Sequence, residues 1–485
     1  MYEVPDEPLA KVRTKIVATV GPASSDPATL QALARAGVDV FRLNFSHGTH
    51  DDHSAVLERV RALETELGRP IAVLQDLSGP KLRLGPIAGD SVDCHRGARF
   101  TLAADAPADD PTVLTSGHRE LPGELSPGET VLFADGNVAM SVLDVDREAG
   151  RAYLEVTLPG KLRSRQGINL PNTALSIPAL TEKDLADLNW AIEARPDFIA
   201  MSFVRSAADV LHLRTELEAR GITARIVAKI EKPQALEDLE GILAATDMVM
   251  VARGDLGVEM NVEQVPAAQK RILAACRRAR VPAITATQML NSMEHSNRPT
   301  RAEATDVFNA VLDGTDAVML SGETAIGEYP VDAVGMMSRI LAEAESHNHQ
   351  AIARQQDNAP TRPWVSPTTE AIVEAASLAC RRLNAAVLAV WTHSGWTALA
   401  LSKHRHSTPT LAITSERSTA RAMNILWGVT PVHLNEIGDG AHAMSIALNW
   451  AKDRDLVQSG DSVVLLRGVL PDDPIRNALL IHVIE

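Results

Sequence analysis

RIVAKIEKPQALEDLEGILAATDMVMVARGDLGVE, residues 225–259, is the stretch on which the fold turns. It opens on a short β-rich run (225–231), passes through a helix-like segment and reaches a second run at 248–255. Both runs are apolar across both faces, as strands of a parallel sheet are when helices cover each side. The same unit recurs in both directions. TKIVATVG (14–21), VFRLNFS (40–46), IAVLQDL (71–77) and FIAMSFV (198–204) precede it, and AITATQM (283–289) and AVMLSGE (317–323) follow. Segments such as DPATLQALARAG (26–37), with an Asp–Pro opening and a closing Gly, read as the intervening helices. Eight strand–helix units are the count of a closed (β/α)8 barrel, so an α/β fold of that architecture is expected.

Strand starts lie 26, 31, 127, 27, 23, 35 and 34 residues apart. The third step exceeds a βα unit of about 30 residues by roughly 95. It marks a domain inserted after the third strand, residues 81–172, which splits the barrel into 1–80 and 173–345. Inside it RFTLAA, TVLFA, AMSVLDV and RAYLEVTL alternate with turn signals such as Asp135–Gly136, so a small all-β lid over the barrel mouth is expected. ESHNHQAIARQQDNAPTRPW (345–364) reads as a linker or a short helix plus loop. Beyond it, runs at 385–392, 409–415, 428–434 and 461–468 predict a C-terminal α/β domain, 346–485, with a parallel sheet.

Composition narrows the function. The chain has 485 residues, 45% of them hydrophobic, and a formal charge of −15. An acidic surface argues against nucleic acid and anionic membranes as partners. The longest apolar run, Ala385 to Trp391, is seven residues, against the ~20 of a membrane span. The N-terminal MYEVPDEPLAKVR lacks the apolar core of a signal peptide. Cys94, Cys276 and Cys380 have no metal-ligand spacing and read as buried small hydrophobes. A cytoplasmic location is expected.

The chemistry should sit at the C-terminal ends of the barrel strands. Arg42, Asn44, Ser46 and His47 end the second strand, Asp76 the third, and Lys229 and Glu231 the fifth. Arg253, Gly254 and Asp255 end the sixth, Thr287 the seventh, and Ser321 and Glu323 the eighth. Lys229 and Glu231 are two apart and share one side of the sheet. Glu231 beside Asp255 either repels it or shares a hard cation, and Mg²⁺ binds through one or two carboxylates plus substrate oxygens. Lys229 adds the positive charge that a phosphoryl group in transit needs, and Arg42 a fork for phosphate or carboxylate. Each residue alone has a plainer reading: an ion pair for Lys229–Glu231, a helix cap for Asp255, a rim histidine for His47. Their convergence on one ring points to a Mg²⁺-dependent enzyme acting on a small phosphorylated or carboxylated substrate. That leaves a phosphotransferase and a metal-assisted lyase or aldolase both open.

TKIVATVGPAS, RLNFSHGTH, AKIEKPQAL, MVARGDLGVE, ATQMLNSM and RPTRAEATDVFNAVLDGTDAVMLSGETAIGEYP, in that order, resemble the signatures of the pyruvate kinase family. The resemblance implies phosphoryl transfer from phosphoenolpyruvate to ADP, giving pyruvate and ATP. By matching position, Glu231 and Asp255 would hold Mg²⁺ (or Mn²⁺ in its place), and Lys229 would stabilise the phosphoryl group. Gly254, Asp255 and Thr287 would hold the substrate carboxylate, and Arg42 the phosphate. Arg83 would meet the nucleotide phosphates, with Pro22, Asn44 and His47 lining the nucleotide side. Ser321 and Glu323, with Thr287 near, would form a relay that protonates the enolate. Gln166 stands where the family often has a nucleotide-contacting Lys, with Arg165 as its substitute.

The resemblance also bears on K⁺. Relatives that need it have Asp-Thr-Lys-Gly-Pro-Glu after the third strand, whereas this chain reads Asp76-Leu77-Ser78-Gly79-Pro80-Lys81. The Lys81 ammonium would replace the monovalent cation, with Asn44, Ser46 and Asp76 as the remaining oxygen ligands, so K⁺ is not expected to be required. A homotetramer is implied, as is a phosphorylated effector at Thr392–Thr397 in the C-terminal domain. The acidic loop Leu470-Pro471-Asp472-Asp473-Pro474 argues against fructose 1,6-bisphosphate as that effector.

Overall fold

The computed structural model describes residues 12–105, 110–173, 176–352, 366–435, 440–467 and 477–485. Eight parallel strands close into a barrel: Lys15–Thr19, Val40–Asn44, Ala72–Asp76, Phe198–Met201, Arg225–Ile230, Met248–Ala252, Ala283–Ala286 and Ala317–Leu320. Neighbours in sequence are neighbours in the barrel, and the first strand pairs with the last from Lys15 beside Ala317 to Ala18 beside Leu320. The helix at Pro27–Ala36 begins on the Asp26 carboxylate, which accepts from Thr29 N, and ends at Gly37 with φ 121°. Thr49 with Asp52 and Thr300 with Glu303 form capping boxes on the helices His50–Glu66 and Arg301–Leu312. Outward-facing strand residues pack with these helices, and inward ones such as Val17, Leu74, Val227 and Met250 fill the barrel.

Two strand ends differ from expectation. The sixth strand stops at Ala252 and the helix Arg253–Glu259 follows at once; the eighth stops at Leu320 and the helix Gly322–Ala325 follows. Asp255 and Glu323 therefore stand in the first turn of short helices rather than on strands. Each strand has finished its ladder, and the chain must turn to leave the barrel rim.

The inserted segment folds as a six-stranded sheet with a separate two-stranded one. The four expected runs are its strands Arg99–Ala103, Thr130–Phe133, Val138–Asp146 and Arg151–Leu158. Asp135–Gly136 turns the hairpin between the second and third of these, with φ 54° and 84°. This domain is tied to the barrel by Asn169 Nδ2, which donates to Glu259 Oε1 at 2.9 Å, while Lys232 pairs with the same oxygen at 2.7 Å.

The helix Pro330–Ile352 extends into the stretch read as a linker or a short helix plus loop, and Glu345 on it accepts from the backbone N–H groups of Arg13 and Thr14. The C-terminal sheet holds the four expected parallel strands, Val387–Trp391, Thr410–Thr414, Val429–His433 and Ser462–Arg467. A fifth, Ala478–Val483, pairs antiparallel with Ser462–Arg467 at its edge and was not expected. The domain docks on the N-terminal ends of the barrel strands, where Asp316 pairs with Lys403 at 2.5 Å and Arg405 at 2.9 Å, and Asn424 donates to Pro70 O. The opposite end is left to the inserted domain and the site. Among the described residues no helix is long and apolar enough to cross a membrane.

Candidate active site

The barrel mouth is wired around Lys229. Period-two alternation on the fifth strand turns Lys229 and Glu231 to the same side, and Nζ lies 2.8 Å from Glu231 Oε1. It also lies 3.2 Å from Asp76 Oδ1 at the end of the third strand and donates to Ser202 Oγ at 2.7 Å. Asp76 continues the network: its Oδ2 accepts from Arg42 Nε at 2.6 Å, and Arg42 Nη1 donates to Thr19 Oγ1 at 2.9 Å. Glu231 is held from its other side by Phe203 N at 2.8 Å, in a turn where Phe203 has φ 55°. Five consecutive barrel strands and their ends are thus joined through one polar cluster, every charged member of which is buried.

Electrostatics sets the charge of Lys229 and Asp76. Burial works against the Lys229 ammonium, but Asp76 and Glu231 outweigh it and push its pKa up, so it stays protonated. Burial works against the Asp76 carboxylate too, but Lys229 and Arg42 hold it below the ordinary carboxylate range. Glu231 is pushed up by burial and by Asp255, against the pull of Lys229. Three acidic side chains (Asp76, Glu231, Asp255) thus act on the Lys229 ammonium, and Asp255 opposes the charge on Glu231.

Across the mouth, Thr287 Oγ1 accepts from Gly254 N at 2.7 Å and donates to Ala286 O at 2.6 Å. A side chain at Gly254 would place its Cβ 3.3 Å from that hydroxyl, so glycine permits the approach. Glu323 is buried and uses both oxygens on backbone: Oε1 accepts from Leu290 N at 3.0 Å, Oε2 from Ser321 N at 2.7 Å. Burial pushes its pKa up against those bonds. The Ser321 hydroxyl is buried, and no hydrogen bond links it to Thr287. The arrangement makes Glu323 a brace between the ends of the seventh and eighth strands.

The nucleotide-side residues form a looser set. Asn44 Oδ1 accepts from Ser46 N at 3.1 Å, so its oxygen closes a local turn, and His47 O contacts His53 Nε2 at 3.0 Å. Pro22, Ser46 and His47 are exposed. Gly21 beside Pro22 lets the chain pass Ala325, whose carbonyl would lie 2.5 Å from any added Cβ. Arg83 Nη1 donates to Arg165 O at 3.2 Å, and Arg83, Arg165, Gln166 and Lys81 line a cleft of about 340 Å³ in the inserted domain. Gln166 Oε1 accepts from Arg163 N, a local turn contact. Leu77 is buried and supplies only backbone there, its carbonyl accepting from Ser202 Oγ at 2.7 Å. Lys81 is exposed beside Gly167, with no carboxylate within ion-pair distance among the described residues.

Three partners in this site escaped the sequence reading. Ser202 and Thr19 lie inside quoted strand runs but look like ordinary strand hydroxyls. Arg253 looks like one more rim cation, yet its guanidinium is buried against the seventh strand's end.

Comparison with known proteins agrees with this geometry. Residues 11–334 match the family model "Pyruvate kinase, barrel domain" and residues 370–482 match "Pyruvate kinase, alpha/beta domain". A pyruvate kinase of Agrobacterium vitis is 43% identical over 461 residues, 94% of this chain and 93% of that one. Pyruvate kinase 2 of a Synechocystis strain is 41% identical, covering 94% of this chain and 77% of its own. A crystal structure of a pyruvate kinase from Cryptosporidium parvum superposes with a TM-score of 0.92 at 34% identity, covering 98% of this chain and 97% of that one. The chain belongs to the pyruvate kinase family, phosphotransferases that make pyruvate and ATP.

Proposed function

We propose that the cluster of Lys229, Glu231, Asp255, Asp76 and Arg42 is where this pyruvate kinase moves the phosphoryl group of phosphoenolpyruvate to ADP. The observation that carries the reading is the Lys229 ammonium, buried yet held charged between Asp76 and Glu231. A lysine acting as a Schiff-base amine would have to lose its proton, so this environment disfavours an aldolase-like use. A fixed ammonium instead stabilises charge on a phosphoryl group in transit.

Two acids acting on each other, with Asp255 raising the Glu231 pKa, fit a hard dication, Mg²⁺ or Mn²⁺. Among the described residues no group of three His, Cys, Asp or Glu gathers to hold a metal, so substrate oxygens and water would complete the shell. Such an ion, when bound, neutralises charge on the phosphoryl and carboxylate oxygens. Arg42, already turned inward by Asp76 and Thr19, aims its remaining donor edge at the phosphate. Thr287 and the amides of Gly254 and Asp255 orient the carboxylate. Arg83 and Arg165 take the nucleotide phosphates in their cleft, and Pro22, Asn44 and His47 at the barrel rim meet the rest of the nucleotide. The inserted domain, latched through Asn169 and Glu259, excludes water that would otherwise hydrolyse the donor. Ser321 and Glu323 serve the enolate only through a water at the unpartnered Ser321 hydroxyl.

K⁺ is dispensable in this reading. Leu77 removes a side-chain oxygen ligand, Asn44 Oδ1 is engaged by Ser46 N, and Lys81 at the hinge brings its ammonium with the inserted domain. A cytoplasmic homotetramer, with a phosphorylated effector at Thr392–Thr397, completes the proposal. Arg225, the first residue of the strand that carries Lys229, donates to Ser394 O in that loop and stacks over Trp396 at 5.0 Å. The distal loop Leu470–Pro474 lies outside the described residues. The deciding experiment couples pyruvate formation to NADH oxidation with phosphoenolpyruvate, ADP and Mg²⁺. Turnover that follows Mg²⁺ is expected; no Mg²⁺-dependent turnover would remove the proposal.

A further inference from the structure

Thr287 and Gln288 both adopt left-handed backbone, φ 66° and 54°. For a β-branched residue this is an outlier, and such conformations persist only where the surroundings over-determine them. Here one side chain gathers most of the turn's carbonyls. The seventh strand has ended at Ala286, and the carbonyls that follow turn toward the buried guanidinium of Arg253. Nε donates to Ala286 O at 3.3 Å, and Nη2 to Thr287 O at 2.8 Å and Gln288 O at 3.4 Å. Nη2 also lies 2.7 Å from Met289 Sδ, and Nη1 donates to Gln269 Oε1 at 3.4 Å. Asp306, on the helix Arg301–Leu312, balances the charge 2.6 Å from Nη1.

Arg253 is also the first residue of the helix Arg253–Glu259, so its backbone places the Gly254 N–H that donates to Thr287 Oγ1. The result is a closed circuit from the Arg253 backbone to Gly254 N–H, to the Thr287 hydroxyl, and back from the Thr287 carbonyl to the Arg253 guanidinium. A planar fork with donors on three nitrogens can reach these carbonyls, Gln269 and Asp306 at once; an ammonium offers three donors from a single point, and an apolar side chain none.

We propose that Arg253 is a positioning residue for the substrate carboxylate. It holds Thr287–Gln288 left-handed, which keeps the Thr287 hydroxyl against Gly254 and Asp255 at the mouth. The proposal rests on assigning Gly254, Asp255 and Thr287 to that carboxylate. Arg253 itself touches no substrate: its guanidinium packs behind the turn, against Gln269 and Met289. Without the fork, the turn relaxes toward right-handed backbone and the hydroxyl leaves Gly254.

A double-mutant cycle with Arg253→Met and Thr287→Ala tests this, read as KM and kcat for phosphoenolpyruvate and, separately, as KM for ADP. Thr287→Ala alone tests the carboxylate assignment. Each single variant should lower kcat/KM for phosphoenolpyruvate by roughly 100-fold, while the pair together should lose well under the roughly 10⁴-fold product, as for residues acting through one contact. KM for ADP should change less than about threefold, since uniform damage to the fold would move both substrates alike. Millimolar guanidinium should restore part of the lost rate in Arg253→Met and none in Thr287→Ala. Should Arg253→Met fail to fold, Arg253→Lys replaces it: charge is kept but the fork is lost, and a loss of roughly tenfold or more is expected. A silent Thr287→Ala overturns the carboxylate assignment. Additive costs, equal shifts in both substrates' KM, or full activity in Arg253→Lys overturn the positioning role.

Discussion

Asp76 holds Arg42 at 2.6 Å with one carboxylate oxygen and Lys229 at 3.2 Å with the other, joining the second, third and fifth barrel strands. It is the fixed anion around which both cations of the site are oriented. Asp76→Asn would keep the shape but leave Arg42 and Lys229 buried with less compensation. Breaking a buried pair in this way costs about 3–5 kcal/mol. We expect a lower thermal unfolding midpoint and a kcat reduced by roughly tenfold or more. Calorimetry and steady-state turnover on one preparation check both effects; an unchanged midpoint would show that Asp76 is not the anchor.

Glu231 and Asp255 act on the same site from a strand end and from a helix first turn. Glu231→Gln and Asp255→Asn should each raise the Mg²⁺ concentration giving half-maximal turnover by roughly tenfold or more, the loss of one carboxylate ligand from a hard cation. A Mg²⁺ titration at saturating substrates reads this directly. Superimposable titrations for wild type and both variants would place the dication elsewhere.

Lys81 stands at the hinge where K⁺-requiring relatives have an acid, and Leu77 is buried where they have a hydroxyl. Turnover in a buffer free of K⁺, NH₄⁺ and Na⁺ should equal that with KCl at matched ionic strength. Lys81→Glu should make the enzyme K⁺-dependent. Stimulation of the wild type by roughly tenfold, about 1.4 kcal/mol of barrier, would contradict the tethered-ammonium reading.

Stability should fall in mild acid at the junction of barrel and C-terminal domain. His404 lies 3.4 Å from Glu370, with Arg280, Glu374 and Arg381 also acting on it. Burial, then Arg280, push it down to about 4. His406 contacts the Thr410 hydroxyl at 3.3 Å; burial, then His404 and Arg13, push it down to about 4 as well. Histidines in the unfolded chain titrate near 6.5, so below that pH the unfolded state binds protons that the folded state refuses. This contribution is fully present above pH ~6.5 and is lost as the pH falls toward ~4. Urea midpoints at pH 7.5 and 5.5 should differ more in the wild type than in a His404→Asn/His406→Gln variant. Equal differences would show that other groups set the acid sensitivity.

The barrel was legible because each of its strands is a short apolar run with every strand residue, or all but one, buried. Lys229 and Glu231 were legible for the related reason that period-two alternation assigns them one face. What the pattern could not carry was the point at which a strand hands over to a helix. Nothing periodic marks Ala252–Arg253 or Leu320–Ser321, and so Asp255 and Glu323 were placed on strands. Asp76 was read as an oxygen ligand for a monovalent cation; its bridge between Arg42 and Lys229 depends on register between strands far apart in sequence. The edge strand Ala478–Val483 is a short apolar run, ALLIHV, that was not expected as a strand; it pairs along one edge with Leu480, Ile481 and Val483 exposed, so it lacks the burial of the barrel strands. The stretch from Glu345 was open between linker and short helix; Glu345 stands on the helix Pro330–Ile352 and receives the Thr14 N–H, a contact across 331 residues of chain that no local pattern carries.

The central claim is that Lys229 acts on the phosphoryl group in the transition state. The most direct test is Lys229→Met, with kcat from pyruvate formation set beside phosphoenolpyruvate affinity from direct binding in the presence of Mg²⁺. We expect kcat lower by roughly 10³-fold or more with affinity changed less than about tenfold, the signature of a contact made chiefly in the transition state. An unchanged kcat, or a loss confined to affinity, would contradict it.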